Sequence, residues 1–253
     1  MAVMLRTSRE IDQMREACRI SANALKLAGE AVRPGVSTWE IDNIARRYIE
    51  SQGAKPNFLG LYGFPATACI SVNEEVIHGI PSRKRILREG DIVSIDLGAV
   101  KNGFNGDNAA TFPVGEVSED AMKLIEVTKQ SFFEALKVAK VGFRLGDIGH
   151  AVQSYCESFG FGVVRDYKGH GVGRELHEDP AIPNYGTAGR GLRLMPGMTL
   201  AIEPMITAGS YEIRQLADGW TVVTKDGGYA AHYENTIAIL PNGENEILTV
   251  PDL

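Results

Sequence analysis

The chain has 253 residues, 44% hydrophobic and 23% charged, with a formal net charge of −6. That length buries a sizeable core, and the acidic balance argues against a nucleic-acid surface as the main business. Cys18, Cys69 and Cys156 lie far apart with no C-x-x-C, so nothing suggests a disulfide framework or a cysteine zinc site. The first ten residues hold no apolar run of signal-peptide length, and no stretch approaches a membrane span, so a cytoplasmic protein with no membrane partner is expected.

Thr7-x-x-Glu10 has the form of a capping box and opens a helix with Ile11, Met14, Cys18 and Leu25 at helical spacing. Pro34-Gly35 is expected to stop it. Ser37-x-x-Glu40 opens a second helix ending near Gly53. An apolar and aromatic loop follows (Phe58, Leu59, Leu61, Tyr62, Phe64), then a strand at Ala68 to Val72. The run Arg83-Lys84-Arg85 reads as a solvated loop.

Asp91 to Asp107 then reads as strand, tight turn, strand. Asn102-Gly103 suits a type I′ turn, which needs positive φ at both central residues. That turn places Asp107 opposite Gly98, so Asp96 and Asp107 become diagonal neighbours on one face, with Val93, Ile95 and Leu97 on the other. Two carboxylates in one space repel and are costly to bury, and a divalent cation between them resolves this. A hairpin whose acids simply reach water has the same local sequence.

Ser118 opens a third helix to about Val141, and a fourth runs from Leu145 to about Phe159. The rest is mostly strand and turn. No linker divides the chain. A shift of 107 positions carries Gly35 onto Gly142, Ile41 onto Ile148, Tyr48 onto Tyr155, Gly53 onto Gly160, Ile95 onto Ile202 and Asp96 onto Glu203. The expectation is one domain, 1–253, made of two pseudo-symmetric halves, about 1–115 and 116–253.

The mate of Asp107 is expected on a later strand, and Glu234 is the natural choice. Four converging carboxylates call for two cations, roughly 3.5–4 Å apart. Gly169-His170-Gly through His177-Glu-Asp-Pro180 offers two histidines as nitrogen donors.

Five segments in order resemble the type I methionine aminopeptidase family of pita-bread metallopeptidases: Asn73-Glu-Glu-Val-Ile-His78-Gly-Ile-Pro81, Ile95-Asp96 through Gly106-Asp107, Gly169-His170-Gly through His177-Glu-Asp-Pro180, Ile202-Glu203-Pro-Met205, and Tyr233-Glu234-Asn-Thr236. The resemblance spans residues 5 to 250. It implies an α+β pita-bread fold, a pseudo-two-fold repeat of a helix–helix–strand unit around a central, mainly antiparallel sheet. It implies a monomeric hydrolase that removes N-terminal methionine from nascent polypeptides and favours a small second residue. By the same resemblance Asp96, Asp107, His170, Glu203 and Glu234 hold two divalent metals (Co, Mn, Fe or Zn), with Asp107 and Glu234 bridging. Glu203 doubles as acid/base, and His78 and His177 contact the substrate. Phe58, Leu61, Phe64, Cys69, Leu176 and Trp220 match the first-residue pocket. Phe58 and Leu61 stand where other bacterial members often have cysteine and tyrosine, which leaves second-residue tolerance open. The Arg83–Arg85 run is also a candidate for a weak ribosome contact. The competing readings are an Xaa-Pro aminopeptidase or prolidase of the same fold, which usually carries an added N-terminal domain, and a non-catalytic peptide-binding relative, which typically loses metal ligands. His150 reads as a helix-surface residue. His232 shares a strand face with Glu234.

Overall fold

A computed structural model describes residues 3–253. Four helices pack outside a curled antiparallel sheet, an α+β arrangement. Helix α1, Ser8–Glu30, opens with the Thr7/Glu10 capping box, and α2, Thr38–Ser51, with the Ser37/Glu40 box. In each box the side chains satisfy backbone N–H groups that the first turn leaves free. Helix α3, Glu119–Val138, is capped by Ser118, and α4 spans Leu145–Ser158. Helices α2 and α4 begin and end 107 positions apart. The first helix stops at Glu30, several residues before Pro34-Gly35. Ala31 caps it by donating to Ala28 O and Gly29 O, so the proline meets a chain that has already left the helix.

The main sheet has nine strands. Its path runs Lys55–Pro56, Ile92–Lys101, Phe104–Pro113, Glu234–Ile239, Thr199–Ile202, Gly169–Gly171, Glu178–Ile182. Ala68–Val72 also pairs Ile92–Lys101, and Asn245–Ile247 pairs Glu234–Ile239. The hairpin turns at Asn102 (φ 53°) and Gly103 (φ 77°), and Lys101 faces Phe104. Both central residues therefore take the positive φ that the turn requires.

The far side of the hairpin, with Val93, Ile95 and Leu97, packs with Ile20, Ala24 and Ala28 of α1 and Ile41, Ala45 and Ile49 of α2. A second cluster joins Leu124, Phe132, Ile148 and Val152 of α3 and α4 to Leu200 and Ile202. The helices thus cover one face of the sheet and leave the other to line a cavity. Among the described residues no helix is long and apolar enough to cross a membrane.

Candidate metal centre and substrate cavity

Sheet register brings the acids together. Cys69 lies opposite Asp96, Asp96 opposite Ala109, and Ala109 opposite Glu234. Residues directly opposite share a face, so these four form one row across four strands. Asn235 pairs Ile202, and continuing that register brings Glu203 beside Glu234. Asp107 and Glu203 each lie one diagonal step from a row or strand neighbour: Asp107 precedes Ala109 by two, and His170 lies opposite Ala201, two before Glu203. Ala109 is small and buried, so it leaves the middle of the row open.

Thr236 anchors this arrangement across 129 residues of chain. Its Oγ1 accepts from Asp107 N at 3.1 Å and donates to Asp107 O at 2.9 Å. Both partners are buried, and Asp107 cannot slide without breaking both bonds. The sequence pattern included Thr236 but gave it no role, because the pairing spans 129 residues and has no local signal.

His170 Nδ1 lies 2.8 Å from Gly171 O. A carbonyl only accepts, so Nδ1 carries the proton and Nε2 holds the lone pair. That lone pair points at Asp107 Oδ2 (3.8 Å) and Glu203 Oε1 (3.6 Å). Ligand atoms of Asp107, His170 and Glu234 all lie within 4.8 Å of one another. Oδ1 of Asp96, Oδ1 of Asp107 and Oε1 of Glu234 are buried with no hydrogen-bond partner. Burial, then repulsion among the acids, drives the carboxyls of Asp96, Glu203 and Glu234 well above their usual range. Burial pushes Asp107 up to about 7. Among the described residues no lysine or arginine pairs with any of the four. The nearest imidazoles supply no positive charge, since burial lowers His170 to about 4. Orphaned oxygens, a bare imidazole lone pair and no protein cation fit a site for divalent metal.

The centre forms the floor of a cavity of about 400 Å³. Phe58, Leu61, Phe64, Cys69, Leu176 and Trp220 line its apolar end. Phe64 and Trp220 meet edge to face at 5.1 Å. His78 and His177 line the cavity as well. His177 sets its ring edge to face against His170 at 4.5 Å, and His78 packs on Tyr167 at 5.5 Å. Burial, then the nearby His177, lowers His78 to about 4, and burial also lowers His177. All thirteen residues singled out from the sequence are therefore on this cavity or its floor.

Tyr62 was not among them. It is 79% exposed at the mouth, holds φ 50° and lies parallel to the His177 ring at 6.3 Å. Its neighbours Gly60 and Gly63 also have positive φ, a pattern that marks a tight loop but does not show where the ring points. His150 is exposed beside Ser154. Arg83 and Lys84 are exposed, with Arg83 stacked over Trp39, while Arg85 is only half exposed and its Nε is buried. The run is thus solvated at two of its three positions.

The pattern of metallopeptidase family M24 matches residues 12–241. A methionine aminopeptidase from Clostridium acetobutylicum is 54% identical over 248 residues, 98% of this chain and 99% of the relative. The chain belongs to metallopeptidase family M24, among its methionine aminopeptidases. The solved methionine aminopeptidase of Thermotoga maritima superposes with a TM-score of 0.96 at 46% identity, covering 98% of this chain and 99% of that one. The prolidase of Pyrococcus furiosus shares the M24 pita-bread fold at a TM-score of 0.78 and 25% identity, with 98% of this chain matching 66% of that one. Membership makes the chain a metal-dependent peptidase, and the identities separate the methionine aminopeptidase reading from the prolidase one.

Proposed function

We propose that this protein removes the N-terminal methionine of nascent polypeptides by metal-assisted hydrolysis, with preference for a small second residue. The observation that carries this is the pairing of an acid cluster, lacking a lysine or arginine partner among the described residues, with an apolar, partly aromatic end of the same cavity. Asp96, Asp107, His170, Glu203 and Glu234 would hold two divalent ions, with Asp107 and Glu234 bridging. An oxygen-rich set with one imidazole suits Mn, Fe, Co or Zn. Such ions would polarise the scissile carbonyl and lower the pKa of a bound water toward neutrality.

The chain's own groups do the rest. Phe58, Leu61, Phe64, Cys69, Leu176 and Trp220 hold the thioether chain, and aromatic edges favour sulfur. His78 and His177 are neutral at pH 7, so each can donate to the substrate without adding charge. His177, beside His170, is placed to steady the oxyanion of the tetrahedral intermediate. Glu203 relays a proton from the attacking water to the leaving amine. Tyr62, parallel to His177 at the mouth, narrows the exit and disfavours bulky second residues.

The matched bounds of α2 and α4 support a single catalytic domain, 1–253, of two related halves, about 1–115 and 116–253. Free thiols at Cys18, Cys69 and Cys156 suit a reducing compartment such as the cytoplasm, where the protein would work as a monomer. The exposed Arg83 and Lys84 offer a weak ribosome contact, which charge reversal followed by co-sedimentation tests. The function itself is tested on Met-Ala-Ser and Ala-Pro peptides with and without chelator. Metal-dependent release of methionine from the first alone is expected. Intact Met-Ala-Ser with loaded protein would refute the proposal.

A further inference from the structure

His232 brings two ring nitrogens to the centre, and neither has an assigned role. The residue is 1% exposed, and both Nδ1 and Nε2 lack a hydrogen-bond partner. An imidazole buried this way loses its hydration with nothing in return. Its backbone is held in place: His232 N donates to Thr111 Oγ1 at 2.8 Å, and Thr111 Oγ1 donates to His232 O at 2.9 Å. Met205 lies opposite it in the strand register. The ring is thereby aimed with Nε2 at 3.8 Å from Glu203 Oε2 and 4.0 Å from Glu234 Oε2.

Glu203 therefore lies between two imidazoles. Its Oε1 faces His170 Nε2 and its Oε2 faces His232 Nε2. The two rings differ in where the proton resides. His170 gives its Nδ1 proton to a carbonyl, which leaves a lone pair at Nε2. His232 Nδ1 has no acceptor, while two carboxylates face its Nε2. With the proton on Nε2, the group left idle is an acceptor at Nδ1, which is tolerated better than an orphaned N–H.

We propose that His232 is a positioning residue that donates its Nε2–H to Glu203 Oε2 and so turns Oε1 toward the His170 side of the centre. The separation of 3.8 Å is longer than a hydrogen bond, and a shift of under about 1 Å in either side chain closes it. This rests on the metal reading of the site. Partners that orient ligands in this way commonly change metal affinity about 10–100-fold.

The test uses His232→Leu, which removes the donor, and His232→Gln, whose amide N–H reaches about where Nε2 stands. Mn²⁺ is titrated calorimetrically into chelator-treated, dialysed protein, alongside kcat and KM for Met-Ala-Ser and the melting temperature of the chelated protein. For Leu we expect an unchanged or raised melting temperature, Mn²⁺ affinity lower by about 10–100-fold at one site, and lower kcat with unchanged KM. Gln should restore affinity and kcat. Native affinity and kcat in the Leu variant would make His232 a filler and overturn the proposal. A Gln variant that behaves like Leu would show that the imidazole lone pair is needed, which also overturns it. If the native protein takes up no Mn²⁺, the metal reading falls and this proposal with it.

Discussion

Gly98 offers a direct probe of how the hairpin aims Asp107. The two residues face each other across the strand pair. A Cβ at Gly98 would overlap the Asn57 amide and stand 2.6 Å from Gly106 O. The Asn57 amide can swing aside, but the Gly106 carbonyl belongs to the strand. Gly106 cannot simply withdraw, because the α1 backbone at Ala17 and Cys18 lies against its other side. Reaching ordinary contact at 3.4 Å requires a displacement of about 0.8 Å, one residue from Asp107. Overpacking of this kind costs about 1–3 kcal/mol, or about 2–12 °C in melting temperature for a chain of this size. A displacement near 1 Å at a reacting centre costs on the order of 100-fold in rate. Gly98→Ala should therefore melt several degrees lower in chelator and lose about 100-fold in kcat/KM on Met-Ala-Ser, measured by thermal scan and peptide assay. A variant with native melting temperature and native turnover would refute the close-contact reasoning.

Asp107→Asn removes a charge from a crowded acid cluster while keeping the Thr236 bonds, which use only the Asp107 backbone. Chelated Asp107→Asn should melt no lower than native, while kcat falls by roughly 100-fold or more; native turnover would rule out a bridging role. Metal-free protein should also respond to pH in a defined direction. Asp107 has a folded pKa of about 7 against a usual value of 3.8, so the folded state binds the extra proton. Its contribution is present at low pH and is lost as pH rises through about 7. His78, His170 and His232, lowered to about 4, 4 and 3, act oppositely, but only below their usual value of 6.5. Asp96, Glu203 and Glu234, raised well above their usual range, act in the same direction as Asp107. The melting temperature of chelated protein should therefore fall as pH rises from about 7 to about 8, where unfolded histidines are mostly neutral, and metal should abolish the fall; a rise with pH would contradict the acid-cluster account. Phe64→Ala opens the apolar end of the cavity and removes the edge contact with Trp220, so KM for Met-Ala-Ser should rise by about 10-fold or more while metal content stays native.

Much of this was legible in the sequence where a local rule governs. Both capping boxes form because the Ser/Thr and Glu are three residues apart, whatever lies beyond them. The hairpin register follows from Asn102-Gly103, and it alone puts Asp96 and Asp107 on one face. Glu203 was found through the 107-residue offset, which carries the helix bounds as well as the strand. The misses are long-range. No local signal ties Thr236 to Asp107, or continues the row from Ala109 to Glu234, since the partners are far apart in the chain, 129 residues for Asp107 and Thr236. His232 looked like a face-mate of Glu234, but Tyr233 interrupts the strand by donating to Pro204 O. That interruption aims the imidazole at Glu203 as well as Glu234. Helix α1 ended early because a backbone cap at Ala31 acted before the proline could.

The proposed function depends most on a two-metal centre held by residues from distant parts of the chain. Anomalous diffraction at the manganese edge, from crystals soaked in Mn²⁺, measures this directly. Two peaks about 3.5–4 Å apart are expected, enclosed by Asp96, Asp107, His170, Glu203 and Glu234. A single peak, or peaks held by other residues, would contradict it.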